Sequence, residues 1–201
     1  GQLKIGGNVI ATHAGTEGAG TVTLDSSTLT IGSNTTVQGQ VQHSALPSGS
    51  LLQIATGFSN SAIEMSAATG VRNIGVSASI TPKSSGSTVL VYASMQCSSS
   101  ASTGMGLTIK RTGPSDQLLQ KGTGASSMDA GKIAFFTYSN WSAMLFPLAG
   151  MFTDTTQDAT TSHVYNIQLD TNNSVGVMIN RRWNDTIWMG TTQIVVMEIK
   201  A

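Results

Sequence analysis

The chain has 201 residues, a formal net charge of zero and only 10% charged side chains, against about 25% in ordinary soluble domains. Serine and threonine, 26 of each, supply the polar surface instead. Ten basic side chains balance ten acidic ones without a basic cluster beyond Lys110-Arg111 and Arg181-Arg182, which excludes a nucleic-acid backbone as partner, and no run approaches the ~18 apolar residues that a membrane-inserted helix needs.

In chain order, residues 1–45 stand apart. The chain opens at Gly1 and not at Met, with no basic leader and apolar stretch of a signal peptide, so it reads as a fragment or processed product of something longer. The segment holds no Phe, Tyr or Trp and three formal charges, Lys4, Glu17 and Asp25. The pairs Leu3/Ile5, Val22/Leu24, Leu29/Ile31 and Val37/Val41 read as short strands broken by Gly and Asn-Thr turns. One copy buries too little surface to offset its ordering entropy. The segment is then either a flexible leader or, as we favour, a stalk in which identical copies share a core.

Residues 46–201 begin at the turn Pro47-Ser48-Gly49 and run on as alternating segments. Ile74, Val76, Ala78 and Ile80 share one strand face and end at Thr81-Pro82. Val89, Val91, Ala93 and Met95 share the next, with Leu90 and Tyr92 opposite. Met105, Leu107 and Ile109 alternate with Gly106 and Thr108. Ile133, Phe135 and Thr137 face away from Ala134, Phe136 and Tyr138. Tyr165, Ile167 and Leu169 lead into Asp170-Thr171-Asn172-Asn173, from which Val175, Val177 and Ile179 return as the second arm of a predicted hairpin. Val195, Met197 and Ile199 finish the pattern. The best helical candidate, Asn140 to Phe152, is interrupted by Pro147 and Gly150. Roughly ten strands with frequent turns and no helix predict an all-β fold, an antiparallel β-sandwich or jelly roll.

Catalytic signatures fail one by one. Gly131-Lys132 lacks the remaining positions of a phosphate-binding loop, and Gly57-Phe58-Ser59-Asn60-Ser61 departs from a nucleophile elbow at its last position. Asp154, Asp158 and Asp185 read as solvated turn carboxylates. Only a polysaccharide depolymerase, which needs two carboxylates facing across a cleft, gives them another use. His13, His43 and His163 are isolated and read as ordinary polar positions. Three copies of His13 or His43 around a three-fold axis are the one way to gather a structural cation site. Asp170 to Asn173 lacks the glycine and distal glutamate of a calcium loop. Cys97, the single cysteine, reads as a small buried apolar residue. Neither a metal nor a cofactor is expected.

One constellation points to binding. Arg182, Trp183, Asn184, Asp185 and Trp188 combine flat apolar rings with directional hydrogen-bonding groups, which suits the apolar patches and hydroxyls of a sugar ring. Tyr138, Asn140 and Trp141 form a second group. The competing reading for both tryptophans of the first group is burial in the core.

The order of several short motifs resembles a family. GSLLQI at Gly49 to Ile54 and SITPKSSGS at Ser79 to Ser87 resemble the beginning of C-terminal domains of phage tail fibres, of the type common among marine and cyanobacterial phages. HVYNIQL from His163, VMINR from Val177 and GTTQIVVMEI from Gly190 resemble its closing strands. The resemblance spans about residues 49–200, is weakest from Gln96 to Asp158, and extends to residues 1–45 only as a Gly-Thr-rich shaft composition. It implies a homotrimeric fibre in the virion, on the phage tail. The chain would be a short β-rich stalk (1–45) followed by a receptor-binding tip domain (46–201), joined to other tail proteins through a missing N-terminal part. It further implies host adsorption through bacterial surface polysaccharide, without catalysis. The alternative is a structural virion fibre or decoration protein with no receptor role.

Overall fold

Long alternation of apolar and hydroxyl side chains favours strands over any other regular structure. The computed structural model describes residues 2–5, 8–14, 21–24, 46–119, 135–139, 144–155, 161–184 and 189–201. Among these every regular element is an antiparallel strand and none is a helix. The chain divides into two compact units, residues 1–40 and 41–201.

In the first unit, β1 (Gln2–Ile5), β2 (Asn8–Ala14) and β3 (Thr21–Leu24) form a meander in the order β1-β2-β3. The strands expected at Leu3/Ile5 and Val22/Leu24 are present, with β2 unforeseen between them. The pairs Leu29/Ile31 and Val37/Val41 lie outside the described residues, as does His43.

The second unit contains β4 (Leu51–Ser59), β5 (Ile63–Ile80), β6 (Thr88–Ser99), β7 (Thr103–Thr112), β8 (Gln117–Leu119), β9 (Phe135–Ser139), β10 (Phe146–Asp154), β11 (His163–Ile179) and β12 (Thr192–Ile199). They form one open antiparallel sheet in the order β4-β12-β6-β11-β7-β8. Three strands branch from it: β10 pairs with β6, β5 with β11 and β9 with β7. The buried cluster takes the residues that period two selects: Ile74 to Ile80 on β5, Val89 to Met95 on β6, Met105 to Ile109 on β7 and Tyr165 to Leu169 on β11. On β12 both faces are apolar, and the core takes Ile194 and Val196 in place of Val195 and Met197.

The stretch from Asn140 to Phe152 contributes a strand where it is described. In β10, Leu148 and Phe152 point inward while Pro147 and Met151 point out. Proline is tolerated because, among the described residues, β10 pairs along one side, with β6. Beneath that pairing lies Cys97, fully buried, its thiol donating to the Phe146 carbonyl at 3.7 Å. Desolvation pushes the thiol up to about 12, so it stays protonated. Its folded pKa exceeds its unfolded one near 9, so its contribution to stability is complete below pH 9 and fades as pH rises toward 12. A thiol reagent at pH 8 should therefore leave Cys97 unmodified in the native protein and label it fully in urea.

Two sequence expectations are corrected here. Asp170 to Asn173 does not turn the chain back: β11 runs unbroken for 17 residues from His163 to Ile179. Asn172 and Asn173 spend their hydrogen bonds on a neighbouring turn and not on their own backbone, so no hairpin closes. Two extra residues are absorbed instead as a bulge between Thr171 and Val175, opposite Gly70 and Ala68. Asp154 is also not a solvated carboxylate. It lies at the inward-facing end of β10, 3% exposed, and pairs with buried Arg111 at 2.9 Å. A strand whose even positions face the core carries its last even position inward too.

The opposite face of β4, β12, β6 and β10 is apolar as well. Cross-strand register aligns Ile54, Met197, Leu90 and Thr153 in one row, and Thr56, Val195, Tyr92 and Met151 in the next. Ile54 is 54%, Met151 53% and Phe58 73% exposed.

Candidate functional site

The site is built around the turn between β6 and β7. Its exposed residues Ser100, Ala101 and Ser102 are small, so neighbouring side chains reach its backbone. From the β11 bulge, Asn172 Oδ1 accepts from the Gly104 amide at 2.7 Å and from Thr103 Oγ1 at 2.9 Å. Asn173 Nδ2 donates to the Ser102 carbonyl at 2.9 Å. Next to the bulge the Ser100 amide donates to the Gly176 carbonyl, and the Gly176 amide to Ser100 Oγ. On the far side of the bulge, Arg72 Nη1 donates to the Ser66 carbonyl and Nη2 to Thr171 Oγ1. Burial pulls the Arg72 pKa below its usual value, and the nearby Asp170 carboxylate opposes that.

Trp183 reaches the same place. Beyond β11 the chain enters a left-handed turn at Asn180, φ 63°, a region that Asn adopts more readily than most residues. Asn180 is fully buried and fixes this turn: Nδ2 donates to the Ser59 and Ser61 carbonyls, and Oδ1 accepts from Thr192 Oγ1. Ser98 Oγ donates to the Arg181 carbonyl, and an Arg181–Met189 bridge closes the base of the loop. From that base the half-buried Trp183 lays its ring on Gly176. A Cβ added to Gly176 would stand 2.4 Å from Trp183 Cη2, so a side chain there would displace the ring.

Of the residues singled out from sequence, Arg182, Trp183 and Asn184 are therefore on one turn, Arg182 half-buried and Asn184 exposed. Of the second group Tyr138 is placed by its backbone, opposite Gly104 in the β7–β9 ladder, two residues beyond the β6–β7 turn. Asn140, Trp141, Asp185 and Trp188 lie outside the described residues, as does Asp158. Sequence reasoning missed Gly176, Ser100, Ser102, Asn173 and Ser174. Gly176 carried a usable signal, a glycine between Val175 and Val177 in a strand, where close approach of another group is the common cause. The exposed serines and asparagine carried none in so hydroxyl-rich a chain.

The charged groups elsewhere in the core are engaged in holding it. Asp154 also accepts from the Tyr165 hydroxyl at 3.1 Å, and Arg111 Nη2 donates to Ser115 Oγ and Gln117 Oε1. Glu198, fully buried, accepts from the amides of Lys83 and Ser84, from Ser87 Oγ and from Gln53 Nε2. His163, the first residue of β11, is buried as well. Among the described residues no three His, Cys, Asp or Glu side chains gather in a metal-holding group, and no helix is long and apolar enough to cross a membrane.

What this corner offers chemically is a flat aromatic face beside exposed hydroxyls and amides on a backbone braced from three strands. No protein-family model and no curated protein sequence matches the chain.

Proposed function

We propose that the protein is a non-enzymatic receptor-binding tip of a phage tail fibre that attaches to bacterial surface polysaccharide. The observation that carries this reading is the seating of Trp183 on Gly176, beside the exposed Ser100, Ser102, Asn173, Ser174 and Asn184. A tryptophan face covers the apolar side of a sugar ring while hydroxyl and amide groups exchange hydrogen bonds with its rim. Enclosure of Asp154 with Arg111 supports binding over hydrolysis, because a buried, ion-paired carboxylate is poorly placed to attack a polysaccharide. A sandwich-like closure of the second unit belongs to the same reading, since one cluster collects inward residues from strands distant in the sheet order. Assembly as a homotrimer would multiply weak single-site contacts into firm attachment.

Retention on host cells or on immobilised lipopolysaccharide tests it. Wild type should be retained, and Trp183→Ala should weaken retention roughly tenfold or more, in keeping with the loss of an aromatic anchor. Gly176→Ala should weaken it too and shift tryptophan emission, since the added methyl displaces the ring. No retention of wild type on any plausible host surface would overturn the reading and leave a structural virion protein in its place.

A further inference from the structure

Resting on the assembly of copies proposed above, we infer that the outer face of β4, β12, β6 and β10 is the surface through which copies of this chain associate. The face spans the four strands from edge to edge, in ladders that keep its side chains in register. Its middle is Leu90, Tyr92, Val195 and Met197, and its flanks are Met151 on β10 and Ile54 and Phe58 on β4, all three more than half exposed.

Size favours a macromolecular occupant. Strands about 4.8 Å apart and about 3.3 Å per residue make four strands of some nine residues cover roughly 600 Å² of flat face. That is of the same order as the ~800 Å² per partner of a standard stable interface. Lone apolar patches on monomers are commonly a few hundred Å².

Charge selects the occupant. No Asp, Glu, Lys or Arg stands on this face; Thr56, Ser94, Gln96, Gln193 and Thr153 are among its polar members. The charged pair Lys110–Asp116 lies elsewhere, beside β7 and β8. Copies of the face gathered about a common axis meet through uncharged side chains alone, so no unpaired charge is desolvated. An anionic lipid surface would call for basic side chains on the face, and its four strands place none there. The first unit points to the same partner independently. Its three short strands come from a segment without aromatic residues that needs copies of itself to build a core.

The mass of the full chain in solution, by light scattering, tests the inference together with Ile54→Lys and Val195→Lys in one variant. Wild type should weigh a multiple of 20.8 kDa, and the variant should fall to the monomer mass with its far-ultraviolet β signal unchanged. A monomeric wild type, a wild type that floats as a monomer on phosphatidylcholine vesicles, or an undiminished mass in the variant would overturn it. Should the variant fail to fold, Gln193→Cys decides instead. That exposed position should cross-link between copies with a short bis-maleimide while buried Cys97 does not react, and absence of cross-linking would overturn the inference. Lipopolysaccharide retention separates this from the functional reading. A variant that loses mass while wild type never binds polysaccharide leaves the face standing and the receptor role refuted. An unchanged mass with intact retention does the reverse.

Discussion

Asp154→Ala should lower the unfolding free energy by about 3–5 kcal/mol, the usual consequence of stranding one member of a buried ion pair. Arg111 and Asp154 are each 3% exposed. Both carboxylate oxygens accept from Arg111 Nη1, at 3.0 and 2.9 Å, and Tyr165 adds a hydroxyl donor to one of them. Removing the carboxylate leaves a guanidinium in the core beside Ser115 and Gln117, neither of which carries charge. The pair itself need not be net stabilising, because desolvation offsets much of its attraction. Replacing both members together, as in Arg111→Met with Asp154→Leu, should therefore recover most of the loss. Urea unfolding of the full chain measures this. An unchanged midpoint in Asp154→Ala, accompanied by loss of a polysaccharide-cleaving activity, would restore Asp154 as a catalytic candidate.

Glu198→Ala should be comparably severe, about 3–4 kcal/mol, because several donors lose a charged acceptor at once. The Lys83 amide lies 2.8 and 2.9 Å from the two carboxylate oxygens and the Ser84 amide 3.1 Å from one. Ser87 Oγ and Gln53 Nε2 donate at 2.7 and 2.6 Å. The carboxylate thus ties the turn between β5 and β6 to β12 and, through Gln53, to β4. Amide hydrogen exchange provides the local readout. Lys83 and Ser84 should exchange much faster in the variant, whereas amides in the middle of β7 should speed up only as far as global stability falls. Unchanged exchange at both residues would show that the turn stands without Glu198.

Both effects concern residues whose roles sequence patterning conceals. Alternation made the faces of β5, β6 and β7 legible, because apolar and small polar side chains take turns there without interruption. It could not say that Asp154 continues the inward face of β10, since a carboxylate looks like the end of a strand until its arginine, 43 residues earlier in sequence, is found opposite. Pro147 and Gly150 hid β10 itself. Asn172 and Asn173 imitated a turn because their side chains can satisfy either their own backbone or another turn, and only the partner decides. On β12 two apolar faces were visible with nothing local to choose between them. Trp183 was legible as a ring with a use, but its seat was not: a glycine seven residues earlier matters only once the chain has reversed at Asn180.

The position of β12 between β4 and β6 governs when the sheet can form during synthesis. β4 and β6 are made early and are not neighbours, so no direct ladder can join them; each waits for residues 192–199 to emerge and fill the gap. Until then both present unsatisfied edges, which invite pairing with any strand nearby. Folding that depends on partners so far apart in sequence is slow. A ribosome stalled anywhere before Thr192 would therefore release a chain with an open groove the width of one strand, prone to aggregate or to borrow that strand from a neighbouring copy.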